Sequence, residues 1–71
     1  MKWEAMAERT YKSRISNTVY IVRGEPGRAY LQATGEMSTN SKVVEQIALV
    51  RRGAYDFATV DWMARQLSNT Y

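Results

Sequence analysis

Basic and aromatic side chains concentrate in one stretch of the chain. Between residues 9 and 28 there are five basic residues and a single acidic one, Glu25, and Tyr11 and Tyr20 lie among them. Basic side chains neutralise phosphates with release of counterions, and aromatic rings stack on bases. Seven of the ten basic residues are arginine, which binds phosphate or carboxylate in a bidentate manner. The pattern therefore fits a nucleic acid or an acidic protein surface.

The candidate phosphate contacts are Lys12, Arg14, Arg23 and Arg28. The same residues also fit an ordinary solvated strand surface, on which charges at sheet edges resist aggregation. The formal net charge of +3 is modest for a dedicated nucleic-acid binder. A nucleic-acid partner is therefore one alternative, beside a protein or protein complex.

Catalytic chemistry has little support in this sequence. Cysteine and histidine are both absent, which excludes a thiolate nucleophile, a Ser-His-Asp triad and the usual zinc ligands. No GxxxxGK[ST], GxGxxG or HExxH motif occurs, and the seven acidic residues form no convincing pair. We therefore expect a protein that is not an enzyme and that has no catalytic residues, cofactor or metal.

The length of 71 residues is enough for one domain, covering residues 1–71. Such a domain buries only about 60% of the surface that its unfolded chain exposes, so self-association, for example as a homodimer, would add stability. No apolar run approaches the roughly 20 residues of a membrane span, and the first residues do not resemble a secretory leader. We expect no membrane association and a cytoplasmic location.

A β-hairpin is the clearest local prediction. Residues 18–22 and 28–34 are rich in β-branched and aromatic residues, and Pro26 and Gly27 suit the second and third positions of the turn between them. Either Glu25 or Arg23 pairs with Arg28, and both registers give the same two faces.

One hairpin face is apolar and is the predicted core face, with Tyr20, Val22, Ala29, Leu31 and Ala33. The other face is mixed, with Val19, Ile21, Arg23, Tyr30, Gln32 and Thr34. Because Tyr and Arg dominate protein–protein hot spots, the predicted partner-binding residues are Val19, Ile21, Arg23, Arg28 and Tyr30. Phe57 and Trp62 are predicted to lie in the core with Tyr20.

The segment from residue 2 to residue 15 has two interpretations. Trp3, Met6 and Tyr11 fall at helical spacing, whereas the residues from Thr10 onward favour a strand. A two-stranded hairpin alone is marginal in water, which favours a third strand. We expect that strand from about residue 9 to residue 15, after an extended or loosely turned start, with residues 16–17 as a two-residue turn.

Two helices should follow the sheet. Residues 38–41 are N-cap residues, and the predicted first helix runs from Lys42 to about Arg52, with Gly53 at its C′ position. Its predicted buried stripe is Val43, Val44, Ile47, Ala48 and Val50. Asp56 should cap a second helix through about Ser68. The residues of its apolar seam are Phe57, Val60, Ala64 and Leu67.

The predicted fold class is α+β: a small antiparallel sheet of two or three strands within residues 9–35, then two helices within residues 41–68 packed on one face. A helix-turn-helix motif fits poorly, because Arg52, Leu49 and Thr59 occupy positions where that motif has other residue types.

The strand region also resembles short phage and prophage proteins. The likeness covers residues 3–36 and is carried by Trp3, Tyr11-Lys12-Ser13, Val19-Tyr20-Ile21-Val22-Arg23, Arg28-Ala29-Tyr30-Leu31 and Gly35-Glu36. It implies a small binding protein of a mobile element. The favoured function is thus a non-enzymatic protein that inhibits or modulates a host macromolecular machine by protein–protein contact. The alternatives are a nucleic-acid-binding accessory protein and a self-associating structural protein.

Overall fold

The computed structural model describes residues 7–25 and 27–71, which form an antiparallel sheet followed by two helices. The strands are β1 (Ala7–Lys12), β2 (Thr18–Glu25) and β3 (Arg28–Gly35), in the spatial order β1-β2-β3. The helices are α1 (Ser41–Gly53) and α2 (Phe57–Thr70). The predicted α+β fold is confirmed, with three strands.

The hairpin of β2 and β3 adopts one of the two predicted registers. Glu25 pairs with Arg28, and β2 extends to Glu25 rather than ending at Val22. Gly27 has a φ of 78°, the left-handed backbone that the third turn position of this hairpin requires. Pairing therefore continues up to the turn, and every β2 side chain from Val19 to Arg23 has a cross-strand partner.

The predicted assignment of the two sheet faces is confirmed. Tyr20, Val22 and Ala29 are completely buried against the helices, and Leu31 is nearly so. Register places Tyr11 of β1 beside Tyr20 on this helix-facing side. Alternation along each strand therefore divides the sheet into a core face and a second face pointing away from both helices.

The first strand differs from its predicted bounds, since it ends at Lys12 rather than Ile15. The Ser13 hydroxyl accepts hydrogen bonds from the backbone N–H groups of Ile15 at 3.1 Å and Ser16 at 3.0 Å. This local bonding turns the chain at Ser13 and leaves Ile15 71% exposed. The predicted two-residue turn at residues 16–17 is wrong, because the connection spans residues 13–17. The interpretations of Trp3 and Met6 lie outside the described residues.

The two helices take different positions on the core face. Helix α2 packs mainly on the central strand β2 and also contacts β1 and β3, burying Val60, Ala64 and Leu67. Helix α1 packs on β3, at the edge of the sheet, and buries Val43 and Val50.

Two burial predictions are corrected by these helix positions. Val44 is 47% exposed, and Ile47 and Ala48 are only partly buried, because α1 lies at the edge of the sheet. Trp62 is 59% exposed rather than in the core. It follows Val60 by two residues, which places it on the opposite side of α2 from the sheet.

Both helices are capped at their N-termini by polar side chains, as predicted. The Asn40 side chain accepts from the backbone N–H groups of Lys42 at 2.9 Å and Val43 at 3.3 Å. The Asp56 carboxylate accepts from the backbone N–H of Thr59 at 3.0 Å, and hydrogen bonding with Thr59 holds the pKa of Asp56 below its usual value. Both helices therefore begin at side chains that satisfy free N–H groups.

The C-terminus of α1 differs from its prediction. Gly53 is the last helical residue, and Ala54, with a φ of 51°, takes the left-handed position expected for glycine. A Cβ on Gly53 would lie 2.3 Å from Cε2 of the Tyr55 ring. Glycine is therefore needed at residue 53 because the Tyr55 ring packs against its backbone.

The contact between Gly53 and Tyr55 can be tested with a double-mutant cycle. Gly53→Ala should lower the free energy of unfolding, because an overpacking cost of about 1–3 kcal/mol exceeds the roughly 1 kcal/mol by which alanine is the better helix former. In a Tyr55→Ala background the same change should be neutral or stabilising. Urea unfolding of the four proteins gives the values, and an equal loss in both backgrounds would contradict this explanation.

Candidate functional site

The candidate site is the sheet face that points away from the helices, which we call the open face. Both helices pack on the other face, so within residues 7–25 and 27–71 no helix covers it. Strand pairing assigns to it Glu8, Thr10, Lys12, Val19, Ile21, Arg23, Glu25, Arg28, Tyr30, Gln32 and Thr34. All five predicted partner-binding residues therefore lie on the open face.

The centre of the open face is apolar. Val19 and Ile21 are partly buried on the central strand, and Tyr30 on β3 is 41% exposed. Tyr30 lies opposite Arg23 in the register, and Ile21 lies opposite Gln32. Ile21 is thus diagonal to Tyr30 across the hairpin, and Val19 lies two residues further along β2, with polar residues around them. Aromatic and aliphatic side chains within a polar rim are typical of protein interfaces.

Two acidic residues, Glu8 and Glu25, partly offset the three basic residues on this face, Lys12, Arg23 and Arg28. Arg23 Nε lies 3.4 Å from Glu8 Oε1 on the neighbouring strand, and both side chains are exposed. Glu25 lies opposite Arg28 across the hairpin. The predicted basic character came from counting along residues 9–28, which omits Glu8. The fold adds that carboxylate to the face through the β1–β2 pairing.

Arg28 is bound within the protein. Its guanidinium carbon lies 5.4 Å from the centroid of the Tyr30 ring, and its Nη2 donates a hydrogen bond to the backbone carbonyl of Arg51. Arg51 is in the last turn of α1, where the helix dipole favours a cation. Arg28 therefore connects the hairpin to α1 and covers one side of the Tyr30 ring.

The four predicted phosphate-contacting residues do not form one patch. Arg14 lies in the loop after β1, where its backbone N–H donates to the Ser68 carbonyl at 3.0 Å. Lys12 lies opposite Val19, and Arg28 lies opposite Glu25, six residues further along β2. At about 3.3 Å per residue this separation is roughly 20 Å.

A cleft of about 380 Å³ lies beside β3 and extends the open face toward α1. Its lining residues come from the sheet and from α1, and they are Ile21, Arg23, Glu25, Tyr30, Leu31, Gln32, Ile47, Val50 and Arg51. A smaller cleft of about 160 Å³ continues along α1 between Val44, Ile47, Ala48 and Arg51. The volume of the first cleft falls within the usual range for ligand sites, about 300–1,000 Å³.

The sequence prediction missed the contribution of α1 to this cleft. Ile47 and Arg51 are four residues apart and so lie on the same side of the helix. That spacing was a usable signal, but Ile47 was assigned to the buried stripe and Arg51 to the helix dipole. Whether Ile47 and Arg51 line a cleft depends on the position of α1 relative to β3, which helical spacing does not give.

A second polar cluster lies on the helix-facing side of β1. The Tyr11 hydroxyl donates to Asp61 Oδ1 at 2.5 Å, and Arg9 Nη1 lies 3.9 Å from Asp61 Oδ2. The hydrogen bond with Tyr11 and the charge of Asp61 raise the pKa of Arg9. These contacts join β1 to α2, so we assign the cluster to structure.

Comparison with known protein families, with curated proteins and with solved structures finds no match for this chain. Within the described part of the chain, no three His, Cys, Asp or Glu side chains are grouped so that they could hold a metal ion. No helix among the described residues is long and apolar enough to cross a membrane.

The unequal environments of Arg23 and Arg28 predict unequal stability effects. Arg23→Glu breaks an exposed ion pair and should change the free energy of unfolding by less than about 1 kcal/mol. Arg28→Glu removes the bond to the Arg51 carbonyl and places a negative charge at the C-terminal end of α1, which should cost about 1.5–3 kcal/mol. Urea unfolding of both variants checks this. Equal losses would show that Arg28 is not bound as described.

Proposed function

We propose that this chain is a small, non-enzymatic protein-binding domain that contacts its partner through the open face and so modulates the partner's activity. The observation that carries the proposal is the apolar centre formed by Val19, Ile21 and Tyr30, on which no helix packs within residues 7–25 and 27–71. Arg23 lies at its side, and the cleft beside β3 continues it toward α1. A small domain leaves much of its surface exposed, and association with a partner buries more of it.

The charge arrangement favours a protein over a nucleic acid. Glu8 pairs with Arg23, Glu25 lies opposite Arg28, and the Arg28 guanidinium is bound to α1. Phosphate binding needs unpaired cations along a continuous track, since the release of counterions from each phosphate drives affinity. A mixed surface with charges of both signs and an aromatic centre fits a protein surface better.

The proposal about the kind of partner rests on a different observation. Residues 3–36 resemble short phage and prophage proteins, and such proteins often act on host proteins. The proposal that the partner is part of a host macromolecular machine depends on that resemblance alone.

Affinity capture with matched variants tests the proposed function. The wild-type protein should retain one or a few proteins from bacterial lysate, and the Tyr30→Ala and Arg23→Glu variants should both lose them. Removal of an aromatic or arginine side chain at a hot spot lowers the binding free energy by about 2 kcal/mol or more. Arg65→Glu, which changes an exposed arginine on α2, is the matched control and should retain the same proteins. Equal capture by folded open-face variants would contradict the proposal.

A salt titration distinguishes the nucleic-acid alternative from the proposed protein-binding function. Fluorescence anisotropy with a labelled random-sequence duplex and single strand, at two salt concentrations, should give no specific binding to the wild-type protein. Tight binding whose log affinity falls with log salt, by about 0.9 per phosphate contact on duplex, would favour the nucleic-acid function instead.

A further inference from the structure

The outer edge of β3 has backbone groups that neither of the other two described strands, β1 and β2, pairs with. The Ala29 N–H donates to the Tyr55 carbonyl at 2.9 Å, so this N–H points away from β2. Because N–H directions alternate along a strand, the N–H and C=O groups of Leu31 and Ala33 point outward as well. Among the residues that the structure describes, no backbone or side-chain hydrogen bond reaches those outward groups. The edge is therefore closed at Ala29 and open from Leu31 to Ala33.

Helix α1 extends over the position that a fourth strand would take. Helix α2 is centred on β2, whereas α1 contacts β3 but neither of the other two strands. Packed helices lie about 8–10 Å apart and paired strands about 4.8 Å apart, so α1 lies about two strand positions from β2. This position is one strand beyond β3. The exposure of Val44 and the partial burial of Ile47 agree, since none of the three described strands lies beneath them.

The cleft beside β3 occupies this same place. Its lining includes Tyr30, Leu31 and Gln32 of β3 and Ile47 and Arg51 of α1. The charged residues that line the cleft are Arg23, Arg51 and Glu25, so the net charge of its lining is positive. An occupant would meet unpaired backbone groups along one side, apolar side chains under α1 and positive charge at its rim.

We propose that the edge of β3 binds an extended segment of a partner protein as a fourth strand of the sheet. The segment pairs its backbone with Leu31 and Ala33 and places alternate apolar side chains beneath α1 against Ile47. An acidic side chain of the segment faces Arg51. This mode of recognition is strand addition, in which main-chain hydrogen bonds give affinity and side-chain pockets give specificity. It rests on the proposed function and names the kind of partner.

A second copy of this chain that pairs antiparallel through its own β3 does not fit as the occupant. Two-fold pairing of β3 with the β3 of a copy would place each α1 over the other copy's β3. The two α1 helices would then lie only about one strand spacing apart, near 5 Å, whereas packed helices need 8–10 Å. The occupant must therefore bring no helix to this face of the sheet, as an extended segment does.

Selection from a random 12-residue peptide library displayed on phage tests the proposal on the wild-type protein. Enriched peptides should contain alternating apolar residues and an acidic residue. Ala33→Pro, which removes one outward N–H, should weaken their binding about tenfold. Ala33→Val keeps that N–H, adds bulk at the same position, and should change affinity by less than threefold. Absence of enriched peptides, or equal binding to the proline variant, would overturn strand addition.

Amide hydrogen exchange, followed by NMR, gives a second readout that needs no variant. Addition of a selected peptide should slow exchange at Leu31 and Ala33 and leave Gln32, whose N–H points toward β2, nearly unchanged. Binding that Tyr30→Ala abolishes but that leaves Leu31 and Ala33 unprotected would overturn strand addition and retain the open face as the binding site. Lysate capture that open-face variants do not alter would instead overturn the proposed function itself.

Discussion

The packing of α2 across the central strand is the contact on which the rest of the structure depends. Val60, Ala64 and Leu67 of α2 are buried on the face that carries Tyr20 and Val22. Because α2 reaches all three strands, it determines which side of the sheet is the core. With α2 at the centre, α1 lies beside it on β3, the strand that directly precedes α1 in the chain.

The exposed features of the protein follow from this arrangement. Because α2 is centred on β2, a helix packed about 8–10 Å from it lies beyond β3, which is only about 4.8 Å from β2, so α1 reaches past the edge of β3. Its outer residues Val44, Ile47 and Arg51 then line clefts rather than a closed core. The opposite face of the sheet has no helix packed on it among the described residues. Within the described residues, one mixed sheet face and the adjoining edge of β3 are thus left without a helix or strand packed on them.

Alternation and turn chemistry made the sheet predictable from the sequence. The two hairpin faces could be assigned because both allowed registers place Tyr20 and Leu31 on the same side, and Gly27 marked the turn. The first residues of the two helices could also be predicted, since the side chains of Asn40 and Asp56 are of types that cap helix N-termini. Local chemistry was sufficient for these features.

Features that depend on the placement of one element against another were not predictable in the same way. The exposure of Val44 and Trp62 depends on where each helix sits, and helical spacing alone does not give that position. The partner of Arg23, Glu8, comes from a different strand. The role of Arg28 depends on a backbone carbonyl of α1 that is distant in sequence. For the candidate site, the sequence therefore predicted the residues of the open face but neither their charge pairing nor the cleft.

The most direct test of this account is amide hydrogen exchange along β3 in the free protein. Fast exchange is expected at Leu31 and Ala33, whose N–H groups face outward. Slow exchange is expected at Tyr30 and Gln32, which face β2, and at Ala29, whose N–H is bonded to Tyr55. Exchange at Leu31 and Ala33 as slow as at Gln32 would show that the edge is already covered, and would contradict the claim that the fold leaves a strand position open.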